Sequence, residues 1–490
     1  MIIIMSDLQN SDHTTPLNHK EETDVSELSD KPQIGLTKYR FVIVIVYCSL
    51  NFANAMHWVT FSSCAENFGK LYNLNKFQVD LFSMIYMIIY PFVCVPQAYI
   101  IDNKSTRLGL SLAAILTIAG AGIKLLIGQS IYFAYIGQFI IASFQPAILN
   151  SPAKIASTWF DEKTRVLVTS ICCAANTIGI LFGFLVHGFV FDDSEISKHN
   201  FFIYLLVEFG ITVGLSTPLL IFFRSKPKLP PSLSQNKYVS PPLKESLKLL
   251  IKNRNFLKLL GSTTCAIGFI NIFGTIVNSY LRMYNINDEI ITYIAATANL
   301  SGIIASLLVS IILDKIKKYQ RILIVLNVAS IVFMILVTSL LEILNEKNAV
   351  YIAFVFYTLT VSSIVPIFTT SMDYVCELTY PVGESISEGL IMSCNQISGI
   401  IGILICDSFM EYLPQYRFLT NVFIIFLVLI SLINIVFIRE ELHRNKKDIG
   451  EESESNDEIH KIETEKSNEV RDSNGNGHQI KNEDDTNKEI

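Results

Sequence analysis

Apolar residues fill most of the chain between residues 40 and 438, in stretches separated by short polar segments. Each stretch holds about 20 mainly apolar residues, the length that an α-helix needs to cross a lipid bilayer. Backbone polar groups in lipid must find their hydrogen bonds within the segment, so helices are favoured over strands. The pattern predicts an all-α integral membrane protein with twelve transmembrane helices. Their predicted bounds are 40–66, 77–101, 108–128, 131–150, 166–191, 201–223, 256–280, 289–313, 320–342, 349–371, 386–411 and 416–438.

A polar stretch at residues 224–254, rich in proline, serine and lysine, divides the predicted helices six and six. Its composition is typical of a linker, and a short amphipathic helix is expected within it at 243–252. Both ends of the chain are polar and poor in aromatic residues, which is typical of disorder. The predicted organisation is a disordered tail at 1–38, a six-helix bundle at 39–223, a cytosolic linker at 224–254, a second six-helix bundle at 255–438 and a disordered acidic tail at 439–490.

The two sets of helices resemble each other at several positions. Asp102, after the second helix, corresponds to Asp314 after the eighth. Further pairs at nearly the same separation are Pro146 with Pro366, Asn176 with Asn395, and Gly183 with Gly402. Two repeated halves joined by a linker are the architecture of transporters that open alternately to the two sides of a membrane. A twelve-helix channel is the alternative, but no filter-like loop or ring of charges is evident.

The distribution of charge adds an orientation. Lysine and arginine are concentrated in one set of loops, which includes the linker, and the opposite loops carry single charges. Because cytosolic loops of membrane proteins hold an excess of these bases, the linker and both termini are predicted to be cytosolic. The formal net charge of −6 comes from the tails, so it says nothing about partners of the helices. The plasma membrane is the expected location, because no organelle signal is evident.

The loop after the second helix, Asp102 to Arg107, reads DNKSTR. It resembles the signature between helices 2 and 3 of the major facilitator superfamily, with Ser105 where that signature usually has glycine. The resemblance implies the major facilitator fold and a loop that holds the two halves together in one state. The alternative is a loop whose bases only satisfy the positive-inside rule. The residues predicted to act in gating or conformational change are Asp102, Arg107, Asp314, Gly179 and Gly183.

The two glycines of that set, Gly179 and Gly183, are four residues apart in the fifth helix. Glycines at this spacing let two helices approach closely, and this packing role is the favoured interpretation. The spacing still bears on function, because closely packed helices can slide past each other when a transporter changes conformation.

Several amides and one tryptophan lie in otherwise apolar helices. Asn54 and Trp58 are four residues apart in the first helix and therefore share one face. The face of a tryptophan ring in a dry cavity attracts quaternary ammonium groups by about 2 kcal/mol. A packed aromatic ring with amides bonded between helices is an equally good interpretation. The predicted substrate-binding residues are Asn54, Trp58, Gln145, Asn271 and Gln396.

Charged residues are nearly absent from the predicted helices. Lys124 is expected to extend from the outer end of the third helix to the membrane surface. Glu208 lies near the start of the sixth helix. Neither a central carboxylate of the kind that proton-coupled carriers use nor a central base for a large anion is evident. These observations favour a small organic cation or zwitterion that moves down its own gradient.

Three segments resemble one family: QPAILNSPAKIASTWF at 145–160, ANTIGILFGF at 175–184, and residues 376–402, which begin CELTYP. They are similar to the feline leukaemia virus subgroup C receptor (FLVCR) family, and a looser similarity extends over roughly 40–438. The resemblance implies a twelve-helix facilitator for choline and ethanolamine. Members of the family are also described as haem exporters.

The resemblance also implies roles for single residues. It assigns Trp58, Gln145 and Gln396 to the choline pocket. The family's helix 7 tyrosine falls at Asn271, which removes one aromatic wall and puts choline itself in question. The family's glutamine before the tryptophan is His57 here, which could respond to pH or ligate haem iron, although a packing histidine is the favoured interpretation.

The sequence leaves three hypotheses for the function. The first is an alternating-access facilitator of choline- or ethanolamine-type amines, acting as a monomer in the bilayer without a cofactor or metal ion. The second is a haem exporter. The third, of another class, is a membrane receptor or scaffold that transports nothing. An enzyme or a nucleic-acid partner is not expected, because the sequence has no Ser/His/Asp set, metal-ligand spacing or phosphate loop.

Overall fold

The computed structural model describes residues 35–190, 197–231, 241–284, 286, 288–343, 350–416, 418–440, 442 and 444. This part of the chain is helical, and no strand occurs in these ranges. Helices satisfy their own backbone hydrogen bonds, so the observed secondary structure is the one that a lipid environment requires.

Twelve long helices lie in the described ranges, as many as the apolar pattern predicts. Their bounds are α1 Tyr39–Val59, α2 Lys76–Tyr99, α3 Thr106–Lys124, α4 Ile131–Leu149, α5 Arg165–Val190, α6 Lys198–Phe222, α7 Arg254–Arg282, α8 Asp288–Ile316, α9 Tyr319–Ile343, α10 Thr358–Thr379, α11 Glu384–Tyr412 and α12 Phe418–Val436. Eleven of them, all except α7, contain a described stretch long and apolar enough to cross a bilayer. In α7, the side chains of residues 273–279 lie outside the described part.

The observed helices differ from the predicted ones mainly at their ends. α1 ends at Val59 rather than at 66, and a separate short helix, Ala65–Tyr72, follows it. α10 continues to Thr379 instead of ending at 371, because its polar last turns are buried among other helices. The linker contains the short helix Leu243–Lys252 at the positions predicted for an amphipathic helix.

Helix α5 lies close against α1 at two glycines. A Cβ atom at Gly183 would lie 2.5 Å from Val59 Cγ2 and 3.1 Å from the Met56 carbonyl oxygen, and one at Gly179 would overlap the backbone of Phe52. Small residues allow backbones to approach this closely. Both contacts join helices of the same half of the chain. The observed contacts are packing contacts. A role of these two glycines in conformational change stays a prediction.

The helices before the linker and those after it meet along two seams. α2 lies against α11, and α5 lies against α8. Across the first seam, a Cβ atom at Gly389 would lie 2.6 Å from Cys94 Sγ. Across the second, the hydroxyl groups of Ser170 and Ser310 are hydrogen-bonded. Both seams lead to the end of the bundle from which the linker leaves, which we call the linker side.

Candidate functional site

The predicted tryptophan of α1 is held by its neighbour α2. Trp58 is half-buried, and its Nε1–H donates to the Ser83 carbonyl oxygen at 3.3 Å. In return, Ser83 Oγ donates to the Trp58 carbonyl oxygen at 3.1 Å. The first hydrogen bond fixes the orientation of the indole ring, the second joins the backbone of α1 to α2, and part of the Trp58 side chain stays exposed.

Two predicted asparagines lie in contacts between helices. Asn54 is fully buried, with its Nδ2 at 3.3 Å from Thr117 Oγ1 of α3, and its Oδ1 has no hydrogen-bond partner among the described residues. Asn271 Nδ2 lies 3.5 Å from the Asn395 carbonyl oxygen, between α7 and α11. A Cβ atom at Gly399 would lie 2.9 Å from the same Nδ2. Asn271 therefore packs on α11, and Asn54 packs between α1 and α3 with its Oδ1 unpaired among the described residues.

Two predicted glutamines have no hydrogen-bond partner among the described residues. Gln145 is buried in α4 and Gln396 is half-buried in α11, and neither side chain forms a hydrogen bond with another described residue. Gln97 of α2 opens α4 beside Gln145, since it accepts from the Ala147 N–H at 2.9 Å and donates to the Ser143 carbonyl oxygen. Gln97 thus joins α2 to the segment of α4 that carries Gln145 and Pro146, a contact that the sequence does not show.

A buried network of charges lies next to Trp58, among α1, α3 and α6. Lys124 Nζ lies 2.9 Å from Glu208 Oε2 and donates to His57 Nδ1 at 2.7 Å. His57 Nε2 donates to Thr212 Oγ1 at 2.8 Å, and Thr60 Oγ1 donates to Glu208. Lys124 and Glu208 are each 1% exposed. A protonated lysine, an ionised glutamate and a neutral histidine give each of these contacts one donor and one acceptor.

This network overturns the expectation for Lys124 and agrees with the favoured interpretation of His57 as a packing histidine. The prediction that Lys124 reaches the membrane surface is wrong, because Glu208 and His57 bind its ammonium group in the interior. Both ring nitrogens of His57 are used, by Lys124 and Thr212, so neither is free to ligate haem iron in this conformation. The opposite charges of Lys124 and Glu208 compensate each other beside Trp58.

On the linker side, the two aspartates that correspond in sequence make equivalent contacts. Asp102 accepts hydrogen bonds from two successive backbone N–H groups in the first turn of α11, at 3.3 and 3.0 Å. Asp314 accepts from two N–H groups in the first turn of α5, at 3.1 and 2.8 Å. Each aspartate thus caps a helix of the opposite half, where its charge also meets the positive end of the helix dipole. Together the two caps close the linker side.

Ion pairs between the two halves strengthen this closure. Lys154, in the short helix Pro152–Trp159, lies 3.8 Å from Asp102 Oδ1 and 3.5 Å from Glu384 Oε2. Arg165 Nη1 lies 3.6 Å from Glu377 Oε1. Both bases belong to the first half, and Glu377 and Glu384 belong to the second. The hydrophobic pattern does not identify Lys154 or Glu384 as functional residues. The sequence shows only that each is a charged residue at the edge of an apolar stretch.

The remaining predicted gating residue, Arg107, lies away from this closure. It is exposed, its N–H donates to Ser225 Oγ at 3.1 Å, and its Nη2 donates to the Leu220 carbonyl oxygen at 3.4 Å. Ser105, which replaces the usual glycine, has an extended backbone with φ −166°, and its Oγ accepts from the Leu108 N–H at 3.3 Å to cap α3. The observed contacts of Arg107 are with Leu220 at the end of α6 and with Ser225 of the linker.

The chain after α12 contributes a residue to the linker side. Arg444 is fully buried and donates to Glu377 at 2.7 Å, to Glu384 at 3.0 Å and to Asp373 at 3.3 Å. Burial lowers the pKa of Arg444, but these carboxylates outweigh it and raise the pKa above its ordinary value. Arg444 thus differs from the expectation of a solvated tail at 439–490, whereas residues 445–490 lie outside the described part of the chain and their disorder stays a prediction.

Replacement of Arg444 by glutamine is expected to loosen the linker side, because three buried carboxylates would lose their shared cation. Hydrogen exchange in the first turn of α11 should rise about tenfold or more, given the strength of charged hydrogen bonds. Truncation after residue 444 keeps the guanidinium group and is the matched control, whereas truncation after 440 removes it. Equal exchange in the two truncated proteins would contradict a role for Arg444.

Comparison with known proteins shows to which family the chain is related. Residues 43–403 match the model of the Major Facilitator Superfamily. The choline/ethanolamine transporter flvcr2a of Danio rerio is 28% identical over 442 residues, which cover 86% of this chain and 90% of that protein. The choline/ethanolamine transporter FLVCR1 of Felis catus is 27% identical over 448 residues, which cover 89% of this chain and 79% of that protein.

A solved structure has the same fold. FucP, a Major Facilitator Superfamily transporter in the outward conformation, superposes with a TM-score of 0.64 at 14% sequence identity, over 82% of this chain and 100% of that chain. The predicted fold and the predicted resemblance are both confirmed. The chain belongs to the Major Facilitator Superfamily, and within it resembles the feline leukaemia virus subgroup C receptor transporters over most of its length.

Proposed function

We propose that this transporter carries small solutes with an ammonium group down their own gradient, with choline and ethanolamine as the first candidates. Trp58 carries the proposal, because Ser83 fixes its ring while part of its surface stays exposed. Relatives at 27% and 28% identity that are named choline/ethanolamine transporters support it.

The neighbouring groups suit a cation that has no carboxylate partner. The face of Trp58 would contribute about 2 kcal/mol to the binding of a desolvated ammonium group. The amide oxygens of Gln145 and Gln396 would accept hydrogen bonds from a substrate amine or hydroxyl without giving up a bond to another described residue. Because Lys124 and Glu208 compensate each other, their network does not repel the cation.

The linker side is proposed to face the cytosol, with both termini, because bases are concentrated there. The observed conformation, closed on the linker side, would then be one that opens toward the outside of the cell. We place the transporter in the plasma membrane, as a monomer without enzymatic activity. No observation favours haem export, since both nitrogens of His57 are engaged. None favours a receptor without transport either.

Replacement of Trp58 by alanine is expected to abolish saturable choline and ethanolamine uptake into cells, or to raise the half-saturating concentration about 30-fold if the ring contributes ~2 kcal/mol. Trp58→Phe keeps an aromatic face and should lose less than Trp58→Leu, which fills similar space without one. Surface expression of each variant is the control. Equal uptake by the phenylalanine and leucine variants would contradict an aromatic amine site.

A further inference from the structure

Glu388 of α11 is a buried carboxyl group that forms no ion pair with any described residue. It is 0% exposed, and neither of its carboxyl oxygens has a hydrogen-bond partner among the described residues. The backbone of Ala153 lies beside it but forms no hydrogen bond of ordinary geometry with it. An ionised carboxylate in such a place would cost several kcal/mol, so the neutral form is favoured while the linker side is closed.

Glu388 lies where the two halves converge. It follows Glu384 by about one turn of α11, and Gln396 follows it by about two turns. The next residue, Gly389, faces Cys94 of α2 and Asn150 at the end of α4, both from the first half. Along α11, Glu388 therefore lies between Gln396 of the proposed amine pocket and the closure of the linker side.

The charged groups around Glu388 do not offer it a cation. Its electrostatic neighbours are the carboxyl groups of Glu384, Asp102 and Asp373. Among the described bases of this region, Lys154 and Arg444 already contact these carboxylates, and Arg165 lies 3.6 Å from Glu377. The other titratable neighbours of Glu388 are Tyr47 of α1, Tyr90 of α2, Cys172 and Cys173 of α5, and Cys376 of α10.

We propose that Glu388 is a proton-binding site, which is occupied whenever the linker side is closed and which releases its proton when the linker side opens to water. The inference rests on the proposed transport cycle. The carboxylate takes up one proton from the linker-side compartment on closing and returns it to the same compartment on opening. Protons therefore set the rate of transport and do not drive it.

The proposal fixes the size and sign of a pH effect. The closed form holds one proton more than the open form, so the ratio of closed to open protein falls up to tenfold for each unit of rising pH on the linker side. In Glu388→Gln the side chain is neutral at every pH, and this part of the pH dependence should disappear.

Hydrogen exchange of the purified protein tests the proposal without any substrate. After correction for intrinsic exchange rates, the first turns of α5 and α11 should become more exposed as the pH rises across the neutral range in the wild type. They should not do so in Glu388→Gln. Glu411→Gln, at the exposed far end of α11, is the matched control and should keep the wild-type dependence. An unchanged pH dependence in Glu388→Gln would overturn the proposal.

Transport in proteoliposomes gives a second readout, with the pH set separately on each side. Uptake by the wild type should depend on linker-side pH, and this dependence should be absent in Glu388→Gln and in Glu388→Ala, which serves if the glutamine variant does not fold. A Glu388-dependent response to pH on the opposite side would overturn the proposal. No amine uptake by the wild type would contradict the proposed function instead, and the exchange experiment would still decide on Glu388.

Discussion

Replacing Lys124 by methionine is expected to lower the free energy of unfolding by about 3–5 kcal/mol, the cost of leaving a buried charge without its partner. Glu208 would keep its hydrogen bond from Thr60 but would lose the ammonium group that lies 2.9 Å away. His57 would lose the donor at its Nδ1. Thermal unfolding of the purified protein should show a midpoint several degrees lower, or loss of the folded protein.

The double variant Lys124→Met, Glu208→Leu separates an ion pair from simple packing. Replacing both members of a buried ion pair by apolar residues of similar size is often nearly neutral, so the double variant should be more stable than Lys124→Met alone. Lys70→Met, on an exposed position of Ala65–Tyr72, should unfold like the wild type. A double variant less stable than Lys124→Met would contradict the network.

The second large effect is expected at the two aspartate caps. Asp102→Ala removes two hydrogen bonds to α11 that involve a charge, and a single bond of this kind is worth about 1.5–3 kcal/mol. The closed form should therefore become at least about tenfold less favoured. Asp314→Ala should act in the same way through α5. Because the two caps lie on different helices and share no partner, the effects of the two substitutions should multiply in the double variant.

Hydrogen exchange distinguishes a gate from two separate caps. If the caps hold one closure together, Asp102→Ala should raise exchange in the first turn of α5 as well as in that of α11. Asp102→Asn keeps acceptor oxygens without the charge and should lie between alanine and the wild type. A rise confined to α11 in Asp102→Ala would show that each aspartate stabilises only the helix that it caps.

The helices and the corresponding aspartates could be predicted from the sequence because they depend on local patterns. Lipid imposes the length of each apolar stretch, and repetition of the two halves links Asp102 with Asp314. The structure places both aspartates at equivalent helix ends. The predicted substrate residues remain predictions. A polar or aromatic residue in an apolar helix does not by itself show that Trp58, Gln145 and Gln396 bind the same solute.

The buried charges could not be predicted, since their partners are distant along the chain. Glu208 lies 84 residues from Lys124, and Arg444 lies 67 residues from Glu377. The hydrophobic pattern does not say which helices are neighbours, so it predicts that a lysine near a helix end reaches the membrane surface. Glu388 stands among serine and glycine near the start of α11, where the sequence gives no sign of its depth.

Counterflow of radiolabelled choline or ethanolamine in proteoliposomes tests the central claim most directly. Vesicles that contain the purified protein are loaded with the unlabelled amine and diluted into a trace of labelled amine, without a gradient of protons or sodium. The account predicts transient accumulation of label in the wild type and none in Trp58→Ala. Thermal unfolding serves to show that the wild-type protein is folded. Absence of accumulation of either amine with such protein would contradict a facilitative amine transporter.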